Sequence, residues 1–228
     1  MSIQKLYTVG GNLATLYNGS TALSMNWIDP YNPMDLPYHT FRLKYKPGTV
    51  PTPDETQIHP QGVVCERYDA DENIWDVTCL DSLDYLMAND TNLVAILGGN
   101  LSGVTDLDST FRSCTALSST ISLPYITGAA DVFRGCSSLY SIPDNSFNNL
   151  IVAQRMFMNC KALSSMPANS FNNVTDSFTM FGGCNALTSN AIDFIESHTN
   201  MTSHDDCFKN CTAMSDYAQA TALYPDWF

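Results

Sequence analysis

Charge is scarce in this 228-residue chain: Asp, Glu, Lys and Arg together make up 14% of it, well below the usual quarter. What charge there is carries one dominant sign, with 23 acidic against 10 basic residues and a formal net charge of −13. A phosphate backbone would be repelled rather than neutralised, which excludes nucleic acid as a partner. Anionic membrane surfaces are disfavoured for the same reason. Long apolar runs are missing too, and no stretch reaches the length of a membrane span. The opening residues MSIQKLYTVGGNLATLYNGSTALSMNW lack the basic flank and apolar run of a signal peptide. Without such a signal, the sequons Asn173-Val174-Thr175 and Asn210-Cys211-Thr212 carry no weight as glycosylation sites. Gly98-Gly99-Asn100-Leu101-Ser102-Gly103 lacks the Lys-Ser/Thr ending of a phosphate loop; it reads as a turn. No Ser/His/Asp or Cys/His set stands out, and nothing argues for an enzyme or a cofactor.

What the chain does have is apolar and neutral-polar residues. At 44% hydrophobic it can bury a sizeable core, as one large domain or two small ones. The polar remainder is Ser, Thr and Asn rather than Lys and Glu. Such a surface, solvated by neutral hydrogen-bonding groups, is common in secreted, cell-surface and virion proteins.

The second half carries an internal register. Cysteines at 114, 136, 160, 184 and 211 are spaced by 22, 24, 24 and 27 residues. Three positions before each stands Phe111, Phe133, Phe157, Phe181 or Phe208, and three after stands Leu117, Leu139, Leu163, Leu187 or Met214. Seven residues before each Phe is Val104, Ile126, Leu150, Val174 or Met201. Ser-Ile-Pro at 141–143 returns as Ser-Met-Pro at 165–167, and Asn-Ser-Phe-Asn-Asn at 145–149 returns at 169–173. A period of this length lies in the leucine-rich-repeat range. The expected fold is therefore a repeat solenoid, leucine-rich-repeat-like with short strands (α+β or mostly β). Its Phe, Cys and Leu residues would stack as ladders between coils, and the Asn-Asn pairs would sit in tight turns that Asn tolerates.

These residues resemble the BspA-like leucine-rich repeat. Asn173-Val-Thr-Asp-Ser-Phe-Thr-Met-Phe-Gly-Gly-Cys-Asn-Ala-Leu187 is similar to the variant that reads Asn-Val-Thr-x-Met-x-x-Met-Phe-x-x-Cys-x-x-Leu. The resemblance covers roughly residues 92–216, about five repeats. Such repeats occur on surface proteins of gut and oral bacteria and in proteins of phages that infect gut Bacteroidetes. The resemblance implies an adhesion module, extracellular or on a virion, and supplies no catalytic residues. The missing signal peptide favours the virion.

Upstream, residues 38–91 read as a small β cap domain covering the first coil. Tyr38–Tyr45 alternates apolar and polar as a half-buried strand does, followed by Val63–Tyr68 and Ile74–Thr78. Lys46–Asp54 is a turn-rich loop, and Asp81–Ala88 is expected as a short helix capped by Asp81 or Ser82. Residues 1–37 read as an N-terminal arm that anchors on another subunit. Residues 217–228, ending Leu-Tyr-Pro-Asp-Trp-Phe, form a C-terminal cap or a docking peptide.

Each chemical candidate has a plainer alternative. The ladder cysteines act as small buried hydrophobes, since ladder geometry rarely meets disulfide dihedrals. Cys65 with Cys79, outside the ladder, is the pair best placed for a disulfide. Cys207 and Cys211, in a C-x3-C arrangement, fit no zinc pattern. Asp69-Ala-Asp-Glu-Asn73 with Asp76 begins like a calcium loop. Ile74 stands where the sixth-position glycine is needed, however, and Leu80 where the Glu is; a solvated acidic turn fits better. His198, His204, Asp205 and Asp206 could serve a metal or acid–base chemistry, yet no nucleophile accompanies them, and a polar loop is the simpler reading. No metal site is expected.

The function expected is therefore non-enzymatic structural binding: a virion surface component, such as a head or tail decoration or fibre, presenting its repeats for host-surface or glycan adhesion. The alternative is a bacterial cell-surface adhesin; a hydrolase using the His198/His204 loop is a distant third. Binding is placed on an exposed strand face at Ser137, Ser138, Tyr140, Ser141, Ser164 and Ser165, where small hydroxyls and a Tyr suit weak multivalent contacts. Partners would be other virion or surface proteins met through the arm, and a host glycan or surface protein. The chain would be a homo-oligomer or part of a larger assembly.

Overall fold

A computed structural model gives the architecture, describing residues 39–53, 63–79 and 82–228, and the backbone alone of 16–18 and 21–23. The chain divides into two units, Met1–Tyr38 and His39–Phe228. In the first, β1 (Leu16–Asn18) pairs antiparallel with β2 (Thr21–Leu23). The anchoring arm expected over 1–37 otherwise lies outside the described residues.

The second unit opens with a four-stranded antiparallel sheet in the order β4-β5-β3-β6. In β3 (His39–Tyr45) the alternation of side chains decides the faces. Phe41, Leu43 and Tyr45 are buried, while Arg42 faces the other way and pairs with Asp76 through two 2.8 Å hydrogen bonds. The Arg42 guanidinium also lies 3.3 Å from the centre of the Tyr68 ring. β4 (Val63–Asp69) and β5 (Ile74–Cys79) form a hairpin. Its turn is locked by Asn73, at φ 53°, whose amide donates to the Lys46 and Thr49 carbonyls at 2.6 and 3.0 Å. β6 (Leu93–Asn100) completes the sheet beside β3.

Two expectations about this region are corrected. Gly98-Gly99 is not an entry turn but part of β6, and it follows a bulge that leaves Leu97 exposed. Glycine is required at 99 because a Cβ there would lie 1.8 Å from the Thr40 carbonyl oxygen of β3. The helix expected from Asp81 to Ala88 is a series of turns over its described part, broken by left-handed Tyr85 at φ 58°.

The fold-class expectation is also corrected. Among the described residues, a repeat solenoid of leucine-rich-repeat type with short strands is not what forms. Within His39–Phe228 the regular structure is one small open antiparallel sheet, two short α-helices, α1 (Ala191–Ser197) and α2 (Tyr217–Leu223), and a single 3-10 turn at Pro225–Trp227. Residues 101–190 hold no strand at all, only turns and isolated single-residue bridges. The physical reason lies in the backbone. Ser109, Asp131, Arg155 and Thr179 take φ of 51–57°, and Ser113, Gly135, Asn159 and Gly183 take φ of 61–76°. Left-handed residues so closely spaced cannot continue either a strand or a right-handed helix.

The core is built from rows of contacts between these turns. Phe111, Phe133, Phe157, Phe181 and Phe208 are each fully buried, and consecutive rings stack 5.5–5.9 Å apart with planes within 12°. Phe41 of β3 meets Phe111 edge-on at 5.0 Å, joining the sheet to the row. Backbone amides cross between turns, as in Phe133 N–H to Met156 O at 3.0 Å and Phe157 N–H to Met180 O at 2.9 Å. On another side, single-residue parallel bridges join Asp106, Gly128, Val152, Asp176 and Ser203 in sequence. At the end of the chain the Trp227 ring lies 4.2 Å from His204 and 6.1 Å from Phe208, with Phe228 against Phe208 and Tyr217.

Candidate functional site

The cysteines are the first residues to place. Cys114, Cys136, Cys160, Cys184 and Cys211 have no exposure to solvent. Each thiol donates to the carbonyl of Met87, Phe111, Phe133, Phe157 or Phe181 respectively, at 3.0–3.1 Å. Burial pushes the thiols of Cys136 and Cys211 up to about 12, and those of Cys114, Cys160 and Cys184 well above the ordinary range. Since the thiolate is the nucleophile and the metal ligand, these groups are held in their unreactive form. Cys207, buried beside them, is likewise raised to about 12 by desolvation. In the sheet, Cys65 stands opposite Val77 and Cys79 opposite Val63, so the hairpin register does not place the two cysteines directly across from each other.

The acidic turn is organised by one of its own carboxylates. Asp69 Oδ1 accepts the amide N–H groups of Asp71 and Glu72 at 2.9 and 3.0 Å, an Asx turn closing the β4–β5 hairpin. The two histidines have different surroundings. His198 Nδ1 donates to the Phe194 carbonyl at 2.8 Å, with its ring stacked on Phe194 at 4.1 Å. His204 stacks instead on Trp227, and Asp206 pairs with Lys209 at 2.8 Å. Among the described residues no three His, Cys, Asp or Glu side chains gather as metal ligands would.

Of the six residues proposed for binding, Ser138, Tyr140, Ser164 and Ser165 are exposed, and Ser137 and Ser141 half-buried. They do not lie on a strand: residues 137–141 and 164–165 are turn and irregular backbone. Part of their hydrogen-bonding capacity is spent internally. Ser164 Oγ donates to the Tyr140 carbonyl at 3.3 Å, and Ser137 Oγ to the Thr115 carbonyl at 3.5 Å. Tyr140, 54% exposed, is the one large side chain they offer.

A different surface is shaped. Tyr125, Thr127, Asn149, Ile151, Asn173 and Thr175 border a shallow, wide-open groove of roughly 490 Å³. These are the residues immediately before and after Ile126, Leu150 and Val174, whose side chains are buried in the core. One wall is thus Tyr125, Asn149 and Asn173, and the other Thr127, Ile151 and Thr175. Hydrogen bonds to the neighbouring turn fix both walls. Asn149 Nδ2 donates to the Pro124 carbonyl at 2.8 Å and Asn173 Nδ2 to the Asn148 carbonyl at 2.6 Å. Thr127 Oγ1 donates to the Thr105 carbonyl at 3.2 Å and Thr175 Oγ1 to the Ile151 carbonyl at 3.5 Å. The Asn-Asn pairs sit in turns, as their residue type suggests, and Asn149 and Asn173 also tie one turn to the next through their side chains; within the two Asn-Ser-Phe-Asn-Asn segments the left-handed asparagines are Asn145 and Asn169.

This bonding has a chemical consequence. With the threonine hydroxyl hydrogens committed inward, the groove presents hydroxyl lone pairs, amide oxygens and one spare amide N–H per asparagine. Beside them stand two exposed apolar surfaces, the Tyr125 ring at 74% and Ile151 at 47%. None of the six lining residues is acidic or basic. Reading the sequence around the Ser-Ile-Pro segments misses this groove. Its signal is the residue pair flanking each inward Ile126, Leu150 and Val174, which alternates out, in, out.

No family model, curated protein or solved structure matches this chain. No helix among the described residues is long and apolar enough to cross a membrane.

Proposed function

We propose that this chain is a non-enzymatic binding protein that adheres to neutral, hydroxyl-rich ligands, with surface glycans as the leading class. The observation that carries this reading is the groove at Tyr125, where an exposed aromatic ring stands beside uncharged acceptors held in place by the backbone. Preorganised polar groups of this kind bind without a large ordering cost. The formal net charge of −13 works against polyanionic ligands and leaves neutral ones unhindered. The burial of the repeated cysteines supports a structural role for them and leaves the surface to do the binding. The resemblance to BspA-like repeats points the same way and sets the context we favour, a virion surface component; a bacterial cell-surface adhesin would use the same groove.

The test is a binding screen of the full chain against neutral and sulfated or sialylated glycans, together with intact bacterial cells. Binding confined to neutral glycans and to cells displaying them is the expected result. Binding to acidic glycans alone, or to nothing in the screen, would overturn it. Co-sedimentation with purified phage particles separates the virion context from the cell-surface one.

A further inference from the structure

The groove has a direction as well as a composition. Its two walls are rows, Tyr125-Asn149-Asn173 and Thr127-Ile151-Thr175, each advancing by one residue per turn of the chain. The turns are joined next to these rows by the parallel bridges Gly128↔Val152 and Val152↔Asp176. Parallel bridging sets neighbouring backbones about 4.8 Å apart, and the Phe rings of successive turns repeat at 5.5–5.9 Å. That step is comparable with the length of one pyranose unit in an extended chain. The groove therefore offers similar polar groups at the repeat distance of a polysaccharide, with the flat Tyr125 ring at one end. The rows also continue past the groove. Asn200 donates to the Asn172 carbonyl at 3.1 Å and Thr202 to the Thr175 carbonyl at 3.3 Å, as their counterparts do one turn earlier.

Resting on the binding function proposed above, we infer that the occupant is a linear, neutral oligosaccharide lying along the rows, about one sugar per turn, with the apolar face of a terminal unit on the Tyr125 ring. Its hydroxyls donate to Asn149 Oδ1, Asn173 Oδ1 and the threonine hydroxyls, and its ring carbons rest on Ile151. Neutral linear chains suit the site because its free groups are mostly acceptors and none of its lining side chains is ionisable at neutral pH. The contacts are individually weak and add along the chain.

The experiment is calorimetric titration of the full chain with linear homo-oligomers of glucose, mannose, galactose and N-acetylglucosamine, from monomer to hexamer. For at least one series, affinity is expected to climb from monomer to about trimer or tetramer and then level off. Tyr125→Ala should weaken the trimer by about tenfold or more, whereas Tyr140→Ala on the serine surface should leave it unchanged. Asn149→Ala should weaken it too. Ile151→Glu, at an exposed position that removes no core contact, keeps the test decisive should Asn149→Ala fold poorly. A monomer that binds as tightly as the hexamer, or binding lost in Tyr140→Ala and kept in Tyr125→Ala, overturns the linear-groove inference while leaving glycan binding standing. Binding to intact cells with no affinity for any oligomer also sinks the inference alone. Failure of oligomers, glycans and cells together removes the underlying function as well.

Discussion

The thiol of Cys160 lies 3.1 Å from the carbonyl oxygen of Phe133, which already accepts the amide N–H of Cys136 at 3.0 Å. Both lone pairs of a buried carbonyl are therefore satisfied, one within its own turn and one from the next. The relationship recurs at Phe111, which accepts from Cys114 N–H and the Cys136 thiol, and at Phe157, which accepts from Cys160 N–H and the Cys184 thiol. Cysteine fits this position as a small hydrophobe that is also a weak donor.

Removing that donor should cost stability and leave binding intact. Cys160→Ala forfeits the thiol–carbonyl contact and opens a small void, together on the order of 1–3 kcal/mol. In a chain of this size each kcal/mol moves the midpoint by about 2–4 °C, so calorimetry should show a clear drop. Glycan affinity should be that of the wild type. An unchanged melting temperature with lost binding would return the cysteine to the list of functional residues. The same burial predicts that an aromatic disulfide reagent leaves Cys136, Cys160 and Cys184 unlabelled in the folded protein and labels them in denaturant.

Gly99 and Gly98 are adjacent in β6 but should respond very differently to alanine. A Cβ on Gly99 meets the Thr40 carbonyl oxygen at 1.8 Å and the Phe41 Cα at 2.9 Å, both backbone atoms that cannot rotate away. Gly98, at φ 155°, has nothing within 4 Å of the same addition. Gly99→Ala should therefore force β6 off β3 and destabilise by roughly 2–4 kcal/mol, with Gly98→Ala costing about 1 kcal/mol or less through its backbone angle. Denaturant midpoints compare the two, and equal losses would refute the close-approach explanation.

Arg155 combines a favourable contact with an unfavourable backbone. Its guanidinium grips Asp131, with Nη2 to Oδ2 at 2.6 Å and Nε to Oδ1 at 3.1 Å, while its own φ is 51°. The Asp131 side chain is only 10% exposed, so stripping away its partner leaves a nearly buried carboxylate with Arg134 alone. Arg155→Ala should cost about 1–3 kcal/mol. Arg155→Gly loses the same ion pair but releases the left-handed strain, and should be about 1 kcal/mol more stable than the alanine variant. Chemical denaturation of the two variants side by side separates contact from conformation; an alanine variant as stable as the glycine one would show that the backbone carries no strain there.

How much of this could be read in the sequence follows from which interactions leave a mark on residue type. The alternation of Phe41, Leu43 and Tyr45 with Thr40, Arg42 and Lys44 marks β3 because one sheet face is buried. β6 is harder to see: Leu93–Leu97 is a continuous apolar run, and the glycines after it look like a turn when their role is close approach to β3. The turn-built architecture is legible only in part. Left-handed Gly135, Asn159, Gly183 and Asn210 are of types that suit that conformation, but Tyr85, Arg155 and Thr179 adopt it too, against their preference. Surrounding contacts decide those positions, and a linear pattern records none of them. The groove is hard to see in the sequence for a related reason: Tyr125, Asn149 and Asn173 share a wall without sharing a residue type.

Two aspartates should give the stability profile opposite slopes in two pH windows. Asp108 is pushed up to about 6 by desolvation and the neighbouring Asp106 carboxylate, partly offset by the Ala130 N–H it accepts at 2.7 Å. The folded state therefore holds a proton there that the unfolded chain, titrating near 3.8, has already released. Folding stability must fall as pH rises from about 4 to about 6. Asp131 runs the other way. Desolvation raises it, but hydrogen bonds from Arg155 and Arg134 outweigh that and hold it below the ordinary value of 3.8. Its contribution is present above that value and disappears as pH falls through its folded pKa. Asp108→Asn keeps an acceptor for Ala130 and removes the charge, so it should flatten the slope between about pH 4 and 6 and raise the melting temperature near neutrality. Asp131→Asn should leave that slope in place, lower stability at neutral pH, and weaken the loss seen below about pH 4. Melting curves of the three proteins from pH 3 to 8 check both signs at once, and a wild-type midpoint that climbs steadily from pH 4 to 6 in parallel with Asp108→Asn would contradict the assignment.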